Sequence, residues 1–170
     1  MDKAIELITK SLADAVKDGK NIEARSNVAL GNTIAGMVES TSGCTGEHSL
    51  AHAMSALFPE LPHGAGLIII SKAFYSHYAK SGRCDERLVN MAKAMGKANA
   101  TTPQDFIDAL VELQVACGVN NLKMSDYKIT EEDLPKLVDN AYDTMGGLFK
   151  VDMVPVLKSD SLKIFKDSYK

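Results

Sequence analysis

Tryptophan is absent from the 170 residues, and Phe and Tyr together make up only 6% of the chain. Sandwiches and barrels draw on aromatic and β-branched residues along their strands. This shortage, beside plentiful Ala, Leu, Lys and Met, predicts an all-α fold. Cysteine is scarce too. Cys44, Cys84 and Cys117 form no C-x-x-C pair, which argues against a disulfide framework or a thiolate zinc site and fits a reducing cytoplasm. Neither sign of charge dominates: 19 Lys and Arg stand against 22 Asp and Glu, a formal net charge of -3 spread along the chain. No basic face is available for phosphates, so nucleic acid is not an expected partner. No apolar run reaches the length needed to cross a bilayer. Asp2, Lys3, Glu6 and Lys10 interrupt the first segment, so neither a membrane span nor a signal peptide is expected. Gly64 and Gly66 are followed by Ile69 where G-x-G-x-x-G needs glycine, and no phosphate-loop G-K-[ST] occurs. A nucleotide fingerprint is therefore missing.

The remainder is the composition of an ordinary folded domain, 45% hydrophobic and 24% charged, at a length for which one core suffices. Ile5, Ile8, Leu12, Ala15 and Val16 recur at helical steps, with Gly19 as the expected stop. A second helix over about 21–40 carries Ala24, Ala29, Gly31, Ala35 and Gly36, small residues that predict close helix packing. A short helix over 46–57 ends before Phe58-Pro59-Glu60-Leu61-Pro62. The Leu67-Ile68-Ile69-Ile70 run reads as a strand taken alone. Its continuation through Ala73, Phe74, His77 and Tyr78 favours a buried helix starting at His63. Thr102-Pro103-Gln104-Asp105 and Thr130-Glu131-Glu132-Asp133 are helix starts, followed by stripes at Phe106, Leu110, Leu113, Cys117 and at Leu134, Leu137, Val138, Ala141. A last helix is expected over 160–168. No repeat or linker interrupts the series, so one helical domain over 1–170 is expected.

Chemistry concentrates in one short stretch. Three of the four histidines, His48, His52 and His63, fall within sixteen residues. His48 and His52 are four apart and share one face of a helix, and His63 follows at a Pro-His-Gly corner. Imidazole is a common ligand of first-row metals. Pairs at this spacing also arise on ordinary helix surfaces, where each ring is a hydrogen-bonded bystander. A zincin reading fails because Ser49 occupies the position where H-E-x-x-H carries its glutamate, and Glu47 faces elsewhere. A Cys44–His48 nucleophile pair is a weaker reading, since adjacency at a helix start needs no chemistry. The Phe74, Tyr75, Tyr78 cluster and the methionines read as core or interface.

Gly36-Met37, Glu47-His48-Ser49-Leu50-Ala51-His52-Ala53-Met54 and Leu61-Pro62-His63-Gly64 together resemble the signature of iron-containing, or group III, alcohol dehydrogenases. The likeness runs over nearly the whole chain. It includes Asp18-Gly19-Lys20-Asn21-Ile22-Glu23-Ala24-Arg25, Glu131-Glu132-Asp133-Leu134-Pro135-Lys136-Leu137 and Ile164-Phe165-Lys166-Asp167-Ser168-Tyr169. The resemblance implies a multi-helix bundle like the C-terminal domain of the dehydroquinate synthase-like and iron-containing alcohol dehydrogenase fold. It implies that His48 and His63 are metal ligands, for Fe(II) or Zn. By the same likeness His52 is a catalytic and cofactor-binding residue beside substrate and nicotinamide. The implied reaction is NAD- or NADP-dependent interconversion of a small alcohol and its aldehyde or ketone.

Departures accompany the likeness. The family's other two ligands, an Asp and a His four residues later, have no counterpart, because no Asp here has a His at that spacing. The nucleotide-binding N-terminal domain has none either and is the expected partner. The isolated chain is accordingly expected to bind metal weakly or not at all and to be inactive alone. The loop from His52 to His63 is about one residue longer than in common members, Ala53-Met54-Ser55 replaces a frequent Pro-Leu-Gly, and Val151-Asp152-Met153-Val154-Pro155 stands where many members have Asn-Pro-Arg. A stand-alone helical interaction module, dimerising through an apolar face, is the alternative from another class, and a metal-storage helical protein is a third.

Overall fold

Asp18 ends the first helix. Its carboxylate accepts the Lys20 amide at 2.9 Å and its backbone is extended, so α1 spans Asp2–Lys17, and Gly19, the expected stop, lies beyond in the turn. The computed structural model describes residues 1–170 as α-helices and short 3-10 turns without a strand. The all-α expectation holds. The chain folds into two compact units, one of Met1–Gly43 with Cys84–Asn120, the other of Cys44–Arg83 with Asn121–Lys170.

In the first unit α1 packs on α2, Ile22–Ser42, whose start is capped by Asn21 accepting the Ala24 amide at 3.0 Å. Gly31 carries the close approach expected from the small residues. A Cβ there would stand 2.7 Å from Cγ1 of Ile8 and 3.2 Å from the Ala4 carbonyl. Helix α5, Asp85–Ala94, has no counterpart among the sequence expectations. Its opening Asp85-Glu86-Arg87 is polar and gives no start signal, but Leu88, Met91, Ala92 and Met95 recur at i, i+3, i+4 and i+7, with Leu88 and Ala92 buried and the two methionines half-buried, so the helical stripe is present in the sequence. Helix α6, Pro103–Ala116, starts as its sequence signals: Asp105 accepts the amides of Thr101 and Thr102 at 2.9 and 2.8 Å. Its buried face is Phe106, Ile107 and Ala109, while Leu110, Leu113 and Cys117 are half-buried.

The second unit contains α3, Gly46–Leu57, α4, His63–Lys80, α7, Leu134–Met145, and α8, Lys158–Ser168. Leu50, Met54, Ile70, Phe74, Leu134, Leu137, Ala141 and Phe165 are fully buried at its centre. At about 25 cal/mol per Å2 of apolar surface, burial of such side chains contributes most of what holds α3 in place. The Leu67–Ile70 run is helical, with Ile70 turned into the core. Asp133 accepts the Thr130 amide at 2.9 Å and its hydroxyl at 2.7 Å, and one 3-10 turn, Glu131–Asp133, leads into α7. No helix is long and apolar enough to cross a membrane.

Candidate metal centre

Helix α3 turns Leu50, Ala51, Ala53 and Met54 inward and leaves His48 and His52 on its accessible side. Two contacts hold that orientation. Ser49 donates its hydroxyl to the Met145 carbonyl of α7 at 2.8 Å, and α4 packs on α3 where Gly66 faces Ala51, with space there for an ordinary side-chain contact. His63 opens α4 directly after Pro62, which cannot continue the preceding chain as helix. The consequence is convergence. Nδ1 of His48 lies 3.2 Å from Nε2 of His63, and the His52 ring stacks at 4.4 Å from that of His63 with the planes tilted by 32°. His77, the fourth histidine, is elsewhere, with its Nε2 3.0 Å from the Pro155 carbonyl.

The surroundings of His63 disfavour its protonation. Burial depresses the pKa of His63, and the neighbouring His52 and His48 depress it further. Neutral rings are the form in which histidine ligates metals. The Nδ1 atom of His63 is buried without a hydrogen-bond partner. Two imidazole nitrogens that both bond one ion at roughly 2.0–2.1 Å stand a little over 3 Å apart, so the His48–His63 separation fits a shared divalent ion. Without metal the same contact is an N–H···N hydrogen bond. No cluster of three or more His, Cys, Asp or Glu side chains within the chain is arranged to hold an ion by itself. Two nitrogens are less than the three protein ligands of a typical catalytic site.

Glu47 of α3, Tyr75 and Tyr78 of α4 and Asp152 form a polar group that the sequence pattern leaves unassigned. Glu47 is buried and its carboxyl is pushed up to about 7, chiefly by burial; the hydrogen bond from Tyr75 opposes the shift and the nearby Asp152 adds to it. Glu47 therefore turns away from the imidazole face, as expected, and reaches Tyr75 of α4. Burial and the Glu47 charge hold the Tyr75 hydroxyl well above its ordinary value. Three residues further along α4, the Tyr78 hydroxyl donates to Oδ1 of Asp152 at 2.5 Å. Both carboxylate oxygens of Asp152 also accept the Gly46 amide, each at 3.2 Å. Burial raises the Asp152 pKa against the pull of these two hydrogen bonds and of His77.

The chain belongs to the Fe-containing alcohol dehydrogenase family: the C-terminal model of that family matches residues 1–169. Among curated relatives it is 29% identical over 178 residues to a long-chain primary alcohol dehydrogenase of Thermoanaerobacter ethanolicus, covering 98% of this chain and 42% of the relative. It is 27% identical over 146 residues to the 1,3-propanediol dehydrogenase of Klebsiella pneumoniae, covering 82% and 36%. Its structure resembles that of an archaeal halo-thermophilic alcohol dehydrogenase from a Red Sea brine pool, with a TM-score of 0.90 and 32% identity over 98% of this chain and 43% of the other. The alcohol dehydrogenase from Oenococcus oeni gives 0.87 and 25%, covering 99% and 44%. The chain thus spans less than half the length of these relatives.

Proposed function

We propose that this chain is the helical, metal-binding part of an iron-dependent alcohol dehydrogenase. In this reading His48 and His63 are metal ligands and His52 borders substrate and nicotinamide. The observation that carries the proposal is the 3.2 Å approach of the His48 and His63 nitrogens, reached from two different helices. Side chains that merely decorate a surface have no reason to converge across a proline-bounded loop. The family relationship supports iron over zinc.

The metal, when bound, supplies Lewis acidity toward the oxygen of a small alcohol, while NAD or NADP accepts hydride. The residues of this chain do the rest of the work assigned to them here. His48 and His63 present ring nitrogens from a face backed by the buried Leu50 and Met54. His52 is exposed and stacked on His63, a place from which an imidazole can carry a proton between substrate and solvent. Further ligands and the nucleotide site belong to a separate nucleotide-binding part, and the 170 residues alone are inactive.

The test is to join the chain to the preceding half of the Thermoanaerobacter ethanolicus relative, load it with iron and follow nicotinamide reduction by a primary alcohol. The expected result is alcohol-dependent reduction that His48→Ala and His63→Ala each abolish. A folded, iron-loaded assembly without activity would overturn the reading and leave the helical interaction module.

A further inference from the structure

We propose that Asp152 is a positioning residue for the imidazole pair, a carboxylate delivered from a distant loop that clamps the start of the His48 helix to the His63 helix. Its significance for catalysis rests on the proposed ligand role of His48 and His63. The geometry itself does not.

The clamp is visible in three contacts. Asp152 accepts the Gly46 amide with both oxygens and the Tyr78 hydroxyl with one. Gly46 is the first residue of α3 and Tyr78 lies in α4. One side chain therefore ties the first residue of the His48 helix to α4 at Tyr78, fifteen residues and about 22 Å along the axis from His63, so the clamp acts on His48 directly and on His63 through its contact with His48. The local sequence leaves this position open, because Thr45, at the N-cap of α3, makes no side-chain capping bond. A carboxylate 106 residues away takes over the task, and as an anion it complements the positive end of the helix.

The surroundings are shaped for it. A Cβ on Gly46 would run into the Phe149 ring and the Asp152 carboxylate, so glycine is the residue that admits the loop. Phe149 stacks on Tyr142 of α7, with ring centroids 4.1 Å apart and planes 9° from parallel, and Val154 is buried two residues beyond Asp152. Asp152 is thus held from both sides. Gly46 precedes His48 by two residues, about 3 Å along the helix axis, whereas His52 sits more than a turn further on. Loss of the clamp should displace His48 more than His52.

The experiment uses the full 170-residue chain, free of metal and labelled with nitrogen-15, at a temperature where every variant is folded. Asp152→Ala removes the acceptor, Asp152→Asn retains one oxygen acceptor, and Ile164→Val is a core truncation in α8 away from the clamp. In Asp152→Ala the Gly46 amide is expected to exchange with solvent roughly tenfold faster or more. The ring nitrogens of His48 and His63 are expected to move toward the shifts of independent imidazoles, with a smaller change at His52. Asp152→Asn should recover most of the native spectrum, and Ile164→Val should leave it unaltered. Unchanged ring signals in a folded Asp152→Ala protein, or equal changes in the Ile164→Val control, would overturn the proposal. If Asp152→Ala does not fold, Tyr78→Phe decides: faster Gly46 exchange with shifted His48 and His63 rings supports the clamp, and native values refute it. Neither metal nor activity is read, so failure here is separate from failure of the dehydrogenase reading.

Discussion

Nδ1 of His48 stands 3.2 Å from Nε2 of His63 although fifteen residues separate them. Two nitrogens at that spacing suit one ion, but they leave its other positions to water. The chain alone, mixed with iron or zinc and then desalted, is therefore expected to retain far less than one ion per molecule by elemental analysis. Stoichiometric retention would show that it carries a complete site.

A Cβ on Gly46 would overlap the Phe149 ring and stand 2.6 Å from the Asp152 carboxylate. Gly46→Ala is expected to destabilise the second unit by about 1–3 kcal/mol, the usual result of forcing an atom into a packed contact. Urea unfolding measures it. A variant as stable as the parent would mean that the Phe149 ring has room to withdraw.

Leu50 is fully buried on the face of α3 opposite the imidazoles. Leu50→Ala should lower stability by roughly 2–5 kcal/mol through lost burial and the cavity left behind. Calorimetry should report a lower melting temperature, and a loss well under 1 kcal/mol would indicate that the core around α3 collapses to fill the gap.

Acid dependence should trace the helix caps. The Thr130 hydroxyl and amide hold the Asp133 carboxyl below its usual range, and the Thr102 and Thr101 amides, with the Thr102 hydroxyl, do the same for Asp105. A carboxylate whose folded pKa is depressed contributes stability that is complete above the unfolded value, about pH 4, and lost as pH falls through the folded one. The melting-temperature gap between wild type and Asp133→Ala should therefore hold steady near neutrality and narrow on acidification. A gap that widens in acid would contradict the assignment.

Local signals account for much of the fold and for the histidine face. His48 and His52 at i and i+4, the two prolines before His63, and the Thr102 and Thr130 starts all act over a few residues, where periodicity and capping chemistry operate. The family likeness was legible in the same stretch. Helix α5 was legible by the same rule, since Leu88, Met91, Ala92 and Met95 make a stripe, although Cys84 at its N-cap gives no start signal. Gly19 stands one residue past the Asp18 cap, so the expected stop is right to within a residue, and the Asp18 side chain helps to close the turn by accepting the Lys20 amide. The clamp was out of reach for a different reason. Asp152 meets Gly46 across 106 residues, and Tyr75 and Tyr78, whose spacing reads as core, owe their role to the two acids that face them. Pairings of that range follow from the packing of α3, α4 and the closing loop, which no window along the chain contains.

Metal content of the complete assembly is the most direct measurement. The chain joined to a nucleotide-binding half is loaded with iron, desalted and analysed as wild type, His48→Ala, His63→Ala and His52→Ala. One iron per assembly is expected in wild type and His52→Ala, with little in His48→Ala or His63→Ala. Full iron in either of those two variants would contradict the role assigned to the pair.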